Sequence, residues 1–330
     1  MNRINWVDTL RGIAMLAILL FHTEVYYADT EIINYNFYVA NMLTAFAFVS
    51  GYLFANPQQP FGYRKKLTGI VRSLIIPYFA FCTVLALGKS LMHSSGYTVG
   101  ELLLHVLTGQ ASWYVSALII AEIFTATAFV LTRQNKVLLA VTALLCIVFT
   151  AVCHNDGTAV ACRIPDFWKW EEALLLVPFI ILGHFYRLYE PRLQWLNTTA
   201  ALIAMLAAVI ALKYAALSAG CSLCIAPVTV SNYLLFAADM IVSALLLVNI
   251  SRRFCLQLVT FIGQNSLIVY FLCGAIPFIV TYIFCRIGLH YNGNYFSILL
   301  AYVFVVDLTT ISTYVISRYI YNPLLKQHVD

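Results

Sequence analysis

Ten stretches of about 20 mainly apolar residues, separated by charges, Pro or Gly, follow one another along this 330-residue chain. About 20 residues is the length an α-helix needs to cross the hydrocarbon core of a bilayer. The stretches run from Thr9 to Ala28, Tyr35 to Ala55, Ile70 to Met92, Ser112 to Leu131 and Val137 to Cys153, then from Ala173 to Tyr189, Thr199 to Leu217, Ser231 to Ile250, Gln264 to Cys285 and Tyr295 to Ile320. With 62% hydrophobic and only 10% charged residues, the chain has too little polar side chain to cover a water-soluble core of this size. Disorder, collagen-like repeats and small disulfide scaffolds are excluded by the same composition. The expected fold class is all-α: a polytopic integral membrane protein of about ten transmembrane helices, built as one transmembrane domain over residues 1–330.

The basic residues give an orientation. Arg3, Arg11, Arg64, Lys65, Lys66, Arg72, Arg133, Lys136, Arg187, Arg192, Arg252, Arg253, Arg318 and Lys326, fourteen of the 19 Lys and Arg residues, fall on the N-terminal side of the ten spans. Lys89, Arg163, Lys169, Lys213 and Arg286 fall on the other. The positive-inside rule then puts both termini in the cytoplasm, and the first span is expected to be a retained helix and not a cleaved signal peptide. The net charge of +5 follows from this asymmetry, and no aromatic-interleaved basic domain points to nucleic acid. No metal motif is found, a lone Cys-x-x-Cys being weak evidence for zinc. Cys153 with Cys162, and Cys221 with Cys224, lie in loops on the non-cytoplasmic side, where disulfides are permitted but their pairing is left open.

Ionisable side chains inside spans are costly and are the first place to look for function. Arg11 and His22 are 11 residues apart in the first span; at about 100° per residue they share one face, separated by a rise of about 16 Å. Asp8 lies on the same stripe and can pair with Arg11 or favour the helix start. Taken alone, Arg11 fits a snorkelling anchor, whereas its alignment with His22 makes a candidate channel from the cytoplasmic edge into the membrane. Glu122 is mid-span, available to His22 or to a basic partner. His184 and Asp239 are placed near the cytoplasmic halves of their spans with solvated or interhelical roles, Asp307 is unassigned, and Glu24 and Glu31 are expected to be solvated at the outer end of the first hairpin. Thr98-Val-Gly-Glu101 has the pattern of a capping box opening a short interfacial helix.

Asp8-Thr-Leu-Arg11-Gly-Ile-Ala14 followed by His22 resembles the first helix of the membrane-bound acyltransferase family 3, with its Arg, ten residues and a His. Phe48-Val-Ser50-Gly51-Tyr-Leu53 is similar to that family's second-helix element. Lys65, Lys66 and Arg72 ahead of Leu74-Ile-Ile-Pro77-Tyr78 resemble its basic loop and the start of its third helix. Trp113-Tyr114-Val115, Pro178-Phe-Ile-Ile-Leu-Gly183 and Ile262-Gly263-Gln-Asn265-Ser266-Leu resemble three further elements, in the right order. The pattern looks closest to the branch resembling fucose 4-O-acetylases. It departs from family patterns at Leu118, where another branch has Glu, and at Cys273, where a second His often stands, and both departures place more weight on His22.

The resemblance implies a membrane O-acyltransferase domain over residues 1–330, multi-pass in a bacterial cytoplasmic (inner) membrane. It implies transfer of acetyl, succinyl or another short acyl group from cytoplasmic acyl-CoA to a hydroxyl of a carbohydrate or lipid-linked glycan acceptor. Acetyl-CoA is then a donor substrate, with no permanently bound cofactor. Acyl transfer to an alcohol needs a base for the hydroxyl proton and a donor for the oxyanion. His22 is the expected general base, with an acyl-imidazole relay as a covalent variant. Arg11, Lys65, Lys66 and Arg72 are expected to hold the acyl-CoA phosphates, and Asp8, Ser50, Trp113, Tyr114 and Glu122 to support the site. The competing class is a secondary transporter of a lipid-linked sugar or organic acid, against which the chain shows no internal repeat. The acceptor and the oligomeric state are not encoded in any motif.

Overall fold

The computed structural model describes residues 3–56, 59–91, 98–154 and 167–321. Among these, nine helices are long and apolar enough to cross a membrane, or ten if a bent helix pair is counted as one span. They begin with α1 (Asn5–Ala28) and α2 (Tyr35–Phe54). The third span joins α3 (Tyr63–Ile70) to α4 (Ile76–Leu91) through a π-helical turn, and is followed by a short helix, α5 (Val99–Leu107). Next come α6 (Trp113–Leu131), α7 (Lys136–His154), α8 (Trp170–Tyr189) and α9 (Thr199–Ser218), then a two-stranded hairpin of β1 (Leu223–Cys224) and β2 (Thr229–Val230). The chain continues through α10 (Tyr233–Arg253), α11 (Gln257–Gln264), α12 (Ser266–Leu272), α13 (Ala275–Arg286) and α14 (Tyr295–Ile316). The fold is thus all-α and multi-pass, as the ten apolar stretches predict. Spatial packing groups the chain into two compact units, one of Met1–Ala45, Asn197–Met205 and Ser243–Asp330, the other of Phe46–Leu196 and Leu206–Val242.

In the first unit α1 is the central helix, against which α11, α13 and α14 pack. Its crossing with α11 is backbone on backbone. A Cβ added at Gly12 would lie 1.9 Å from the Val259 carbonyl oxygen, and one added at Gly263 would lie 1.7 Å from the Asp8 carbonyl oxygen. Small residues permit this approach, and in a bilayer close packing replaces the hydrophobic drive that lipid cannot supply. Tyr302 of α14 donates to the Leu16 carbonyl at 3.0 Å, tying a second helix to α1. The α1–α2 turn departs from expectation. Glu24 is buried and not solvated, because its carboxylate accepts the backbone N–H groups of Ile32 (3.2 Å) and Ile33 (3.1 Å), donors that the turn would otherwise leave bare.

The expected single helix from Gln264 to Cys285 is broken. α12 and α13 meet at a bend of 44° around Cys273 and Gly274. Pro277 explains the position: it has no N–H for the Cys273 carbonyl and its ring opposes that carbonyl, so the helix restarts with Pro277 in its first turn, where proline is tolerated.

In the second unit the same packing device recurs, Gly51 of α2 lying against the Ile180 carbonyl and Gly183 of α8 against the Phe48 carbonyl. The third span starts at Tyr63, earlier than the sequence suggests, so Arg64, Lys65, Lys66 and Arg72 are helical and not part of a loop. The π turn at Val71–Ile75 lies immediately before Pro77, and the Ile76 N–H reaches back to the Val71 carbonyl. The wider turn accommodates a proline that a regular ladder would not. α5 opens with the predicted capping box, in which the Glu101 N–H meets the Thr98 hydroxyl at 3.3 Å and the Thr98 N–H meets the Glu101 carboxylate at 2.7 Å. Tyr78 of α4 donates to the Val106 carbonyl at 2.9 Å and holds α5 in place. Cys162 lies outside the described residues. Cys221 and Cys224 are not bonded to each other; their sulfurs face the carbonyls of Ala219 (4.0 Å) and Ala226 (3.4 Å).

Two outcomes follow from this packing. Gly12→Ala should destabilise the protein by at least the ~1–3 kcal/mol typical of overpacking, measured by thermal unfolding in detergent. Gly69→Ala in α3, with no atom within 4 Å of the added Cβ, should be neutral or stabilising. The Thr98 backbone and hydroxyl donors hold the Glu101 pKa below the 4.5 of an unperturbed Glu. The contribution of this group to α5 is therefore present above that value and lost as pH falls through the depressed one. The protection of α5 amides relative to their intrinsic exchange rates should fall there in the wild type and stay constant in Glu101→Gln.

Candidate active site

Asp8, Arg11 and His22 all lie on α1, within the first unit. The crossing with α11 shapes the surroundings of the first two. Gly12 follows Arg11 directly, and the carbonyl that meets Gly263 is that of Asp8. Asp8 is buried, and its Oδ2 has no hydrogen-bond partner among the described residues. Arg11 is half-buried.

His22 is also half-buried. Its ring stacks on Tyr26, one turn further along, with centroids 6.4 Å apart and planes 29° from parallel, and meets the edge of Phe21 at 5.6 Å. Among the described residues neither ring nitrogen is occupied by a hydrogen bond. Tyr26 in turn contacts Phe278 of α13 at 6.1 Å, and its hydroxyl lies 3.6 Å from where a Gly274 Cβ would stand, at the break between α12 and α13. The imidazole is therefore set in an aromatic wall with its proton-accepting atom available. Chemically, such a group can take a proton from a hydroxyl that reaches it.

The second unit carries the other predicted residues and brings three of them together. Glu122 of α6 receives the Ser50 hydroxyl from α2 in a short hydrogen bond and the Lys66 ammonium from α3 at 2.9 Å. The Lys66 ammonium also lies 4.0 Å from the centre of the Phe54 ring. The Lys66 and Glu122 side chains retain only 19% and 10% of their exposure. Lys66, expected to meet a phosphate, thus has a carboxylate partner within the protein, and mid-span Glu122 is satisfied by a cation and a hydroxyl. Lys65 and Arg72 are exposed, with Arg72 on the π turn. Trp113 is half-buried with its ring against Tyr114 at 5.6 Å, and Tyr114 is buried beside Phe46.

Of the solvated or interhelical roles expected for His184 and Asp239, both have the interhelical one. His184 is 5% exposed and not solvated; its Nδ1 is buried without a hydrogen-bond partner among the described residues, and its ring meets the edge of Phe129 at 4.8 Å. Asp239 is fully buried and accepts from Lys213 of α9 at 2.6 Å. It stands in the first two turns of α10, close in the chain to the β hairpin, with Arg252 and Arg253 at the other end of the helix. The signal for this pair was Lys213 itself, an ammonium inside an apolar span that no headgroup could reach without a partner.

Residues 4–318 match the family model described as the acyltransferase domain of acyltransferase family 3. No curated protein and no solved structure matches the chain.

Removing one partner of a buried ion pair leaves the other uncompensated, at a cost of about 3–5 kcal/mol. Lys66→Met and Glu122→Leu should each lower the thermal midpoint in detergent strongly. The Lys66→Met/Glu122→Leu double variant should recover part of the loss, a non-additivity that would be missing if the two side chains acted independently.

Proposed function

Because the chain belongs to acyltransferase family 3, and is accordingly a membrane acyltransferase, we propose that it moves an acetyl or other short acyl group from acyl-CoA to a hydroxyl of a carbohydrate acceptor, with His22 as the general base. The single observation carrying this reading is the state of His22: a half-buried imidazole, aligned with Arg11 on one face of α1, with both ring nitrogens available among the described residues. A structural histidine at this depth would be expected to spend a ring nitrogen on a neighbouring helix.

The acceptor hydroxyl attacks the thioester carbonyl carbon as His22 removes its proton. The carbonyl π pair moves onto oxygen, and the tetrahedral oxyanion collapses to expel the CoA sulfur. The imidazolium returns the proton to that sulfur, so the products are the ester and free CoA, with His22 neutral again. Arg11, near the start of the same helix face, is assigned to the anionic part of the donor, in keeping with guanidinium recognition of phosphate. Within the second unit, exposed Lys65 and Arg72 are the residues proposed for donor phosphates. Lys66 is assigned instead to holding Glu122 and Ser50 in place.

The positive-inside distribution supports donor arrival from the cytoplasmic face. The fucose O-acetylase-like pattern supports a glycan acceptor of the cell surface, in a bacterial inner membrane. Membrane acyltransferase membership supports this reading over the transporter alternative.

In isolated membranes supplied with labelled acetyl-CoA and a glycan acceptor fraction, His22→Ala should lower acyl transfer by about 10²–10⁴-fold, the usual worth of a general base. Its expression and thermal midpoint should stay near wild type. Full transfer by His22→Ala would remove His22 from the mechanism.

A further inference from the structure

With His22 as its base, acyl transfer still needs a hydrogen-bond donor for the oxygen that becomes negative on the thioester carbon. Such a donor, fixed where the charge develops, is commonly the largest single contribution to this class of reaction. Arg11 is about 16 Å from His22 along the helix, too far to serve. Tyr26 is beside it. Its ring lies over the imidazole with centroids 6.4 Å apart and planes 29° from parallel, and Phe278 of α13 meets that ring at 6.1 Å and 74°. The spacing of four residues puts His22 and Tyr26 on one side of α1. Helical side chains lean toward the N-terminus, so the phenol extends back over the turn that carries His22.

The Tyr26 hydroxyl makes no hydrogen bond among the described residues. A tyrosine of the outer aromatic belt would turn this group toward the headgroups. Here it lies 3.6 Å from where a Gly274 Cβ would stand, and apart from chain neighbours no other described atom comes within 4 Å of that position. Gly274 belongs to the bend between α12 and α13, away from both ends of the pair Ser266–Leu272 and Ala275–Arg286. Pro277 has no N–H for the Cys273 carbonyl there. Irregular backbone at membrane depth is tolerated where it is buried in protein or lines a water-filled cavity. Tyr26, 39% exposed, and half-buried His22 leave this place accessible.

Resting on the assignment of His22 as general base, we infer that Tyr26 is a second catalytic residue, its phenolic O–H donating to the tetrahedral oxyanion. The attacking oxygen and the former carbonyl oxygen are bonded to one carbon. The first faces His22 and the second faces the phenol, each within the ~2.6–3.2 Å of a hydrogen bond, and rings centred 6.4 Å apart leave room for both. No bond to Tyr26 is made or broken. The phenol keeps its proton, its hydrogen bond strengthens as negative charge builds on the oxygen, and it weakens when the carbonyl re-forms and the CoA sulfur leaves. Glycine at position 274 keeps the space in front of the hydroxyl clear of a side chain.

The test uses the full-length protein in isolated membranes with labelled acetyl-CoA and a glycan acceptor fraction. Tyr26→Phe keeps the ring over His22 and removes only the hydroxyl. It should lower kcat by about 10²–10³-fold, the cost of losing one oxyanion donor, with KM for both substrates and the thermal midpoint near wild type. p-Aminophenylalanine at position 26 restores a donor and should recover part of the loss. p-Methoxyphenylalanine at the same position cannot donate and should not, so this pair separates donation from packing even if Tyr26→Phe is unstable. Wild-type kcat in Tyr26→Phe, a change confined to KM, or equal rates for the amino and methoxy variants would overturn the assignment of Tyr26. Loss of transfer in His22→Ala beside full activity in Tyr26→Phe sinks this inference alone, whereas full transfer by His22→Ala removes the reading on which it rests.

Discussion

Backbone contact between helices, made possible by glycine, is the interaction on which each unit of this protein depends. In lipid, apolar side chains gain little by leaving their surroundings for one another, so association rests on close packing and on hydrogen bonds within the protein. Gly12 against Gly263 in the first unit, and Gly51 against Gly183 in the second, let carbonyl oxygens approach to distances that any Cβ would block. Two candidate site residues and one buried histidine are chain neighbours of these contacts. Arg11 precedes Gly12, Ser50 precedes Gly51, and His184 follows Gly183. A glycine that sets the crossing therefore also sets the direction of the polar side chain beside it.

Charges inside the spans divide by how they are satisfied. Glu122 is held by Ser50 and Lys66, and Asp239 by Lys213, in pairs with nearly complete burial. Glu24 is satisfied by backbone donors of a turn. These are groups whose electrostatic needs are met inside the protein. His22 differs in having an available ring, which is the condition for proton transfer to a substrate. Asp307 differs again, exposed at mid-span with no hydrogen bond or ion pair among the described residues.

Proline accounts for the irregular helices, and it does so in two ways. Before Pro77 the chain widens into a π turn and keeps one continuous span. Before Pro277, which has no N–H for the Cys273 carbonyl, it bends by 44° and restarts. The bend lies beside the Tyr26 hydroxyl, one helical turn from His22, so the irregular backbone and the candidate base share one region of the first unit.

By itself the sequence determined the number and places of the spans, the all-α class and the common face of Arg11 and His22. Each of these depends on one helix at a time: apolar length against membrane thickness, and residue spacing against helical period. The capping box at Thr98 and Glu101 was legible for the same reason, being a contact within one turn. What the spacing could not contain was the partner of each intramembrane charge. Lys66 acquired Glu122 only when α3 and α6 were brought together, Glu24 looked solvated until the turn folded over it, and Asp239 acquired Lys213 only when α9 and α10 packed. Partners on separate helices are decided by rotation and depth in the folded bundle, which depend on where glycines let backbones touch. The tertiary structure decided those, and with them which charges hold the protein together and which are left to act.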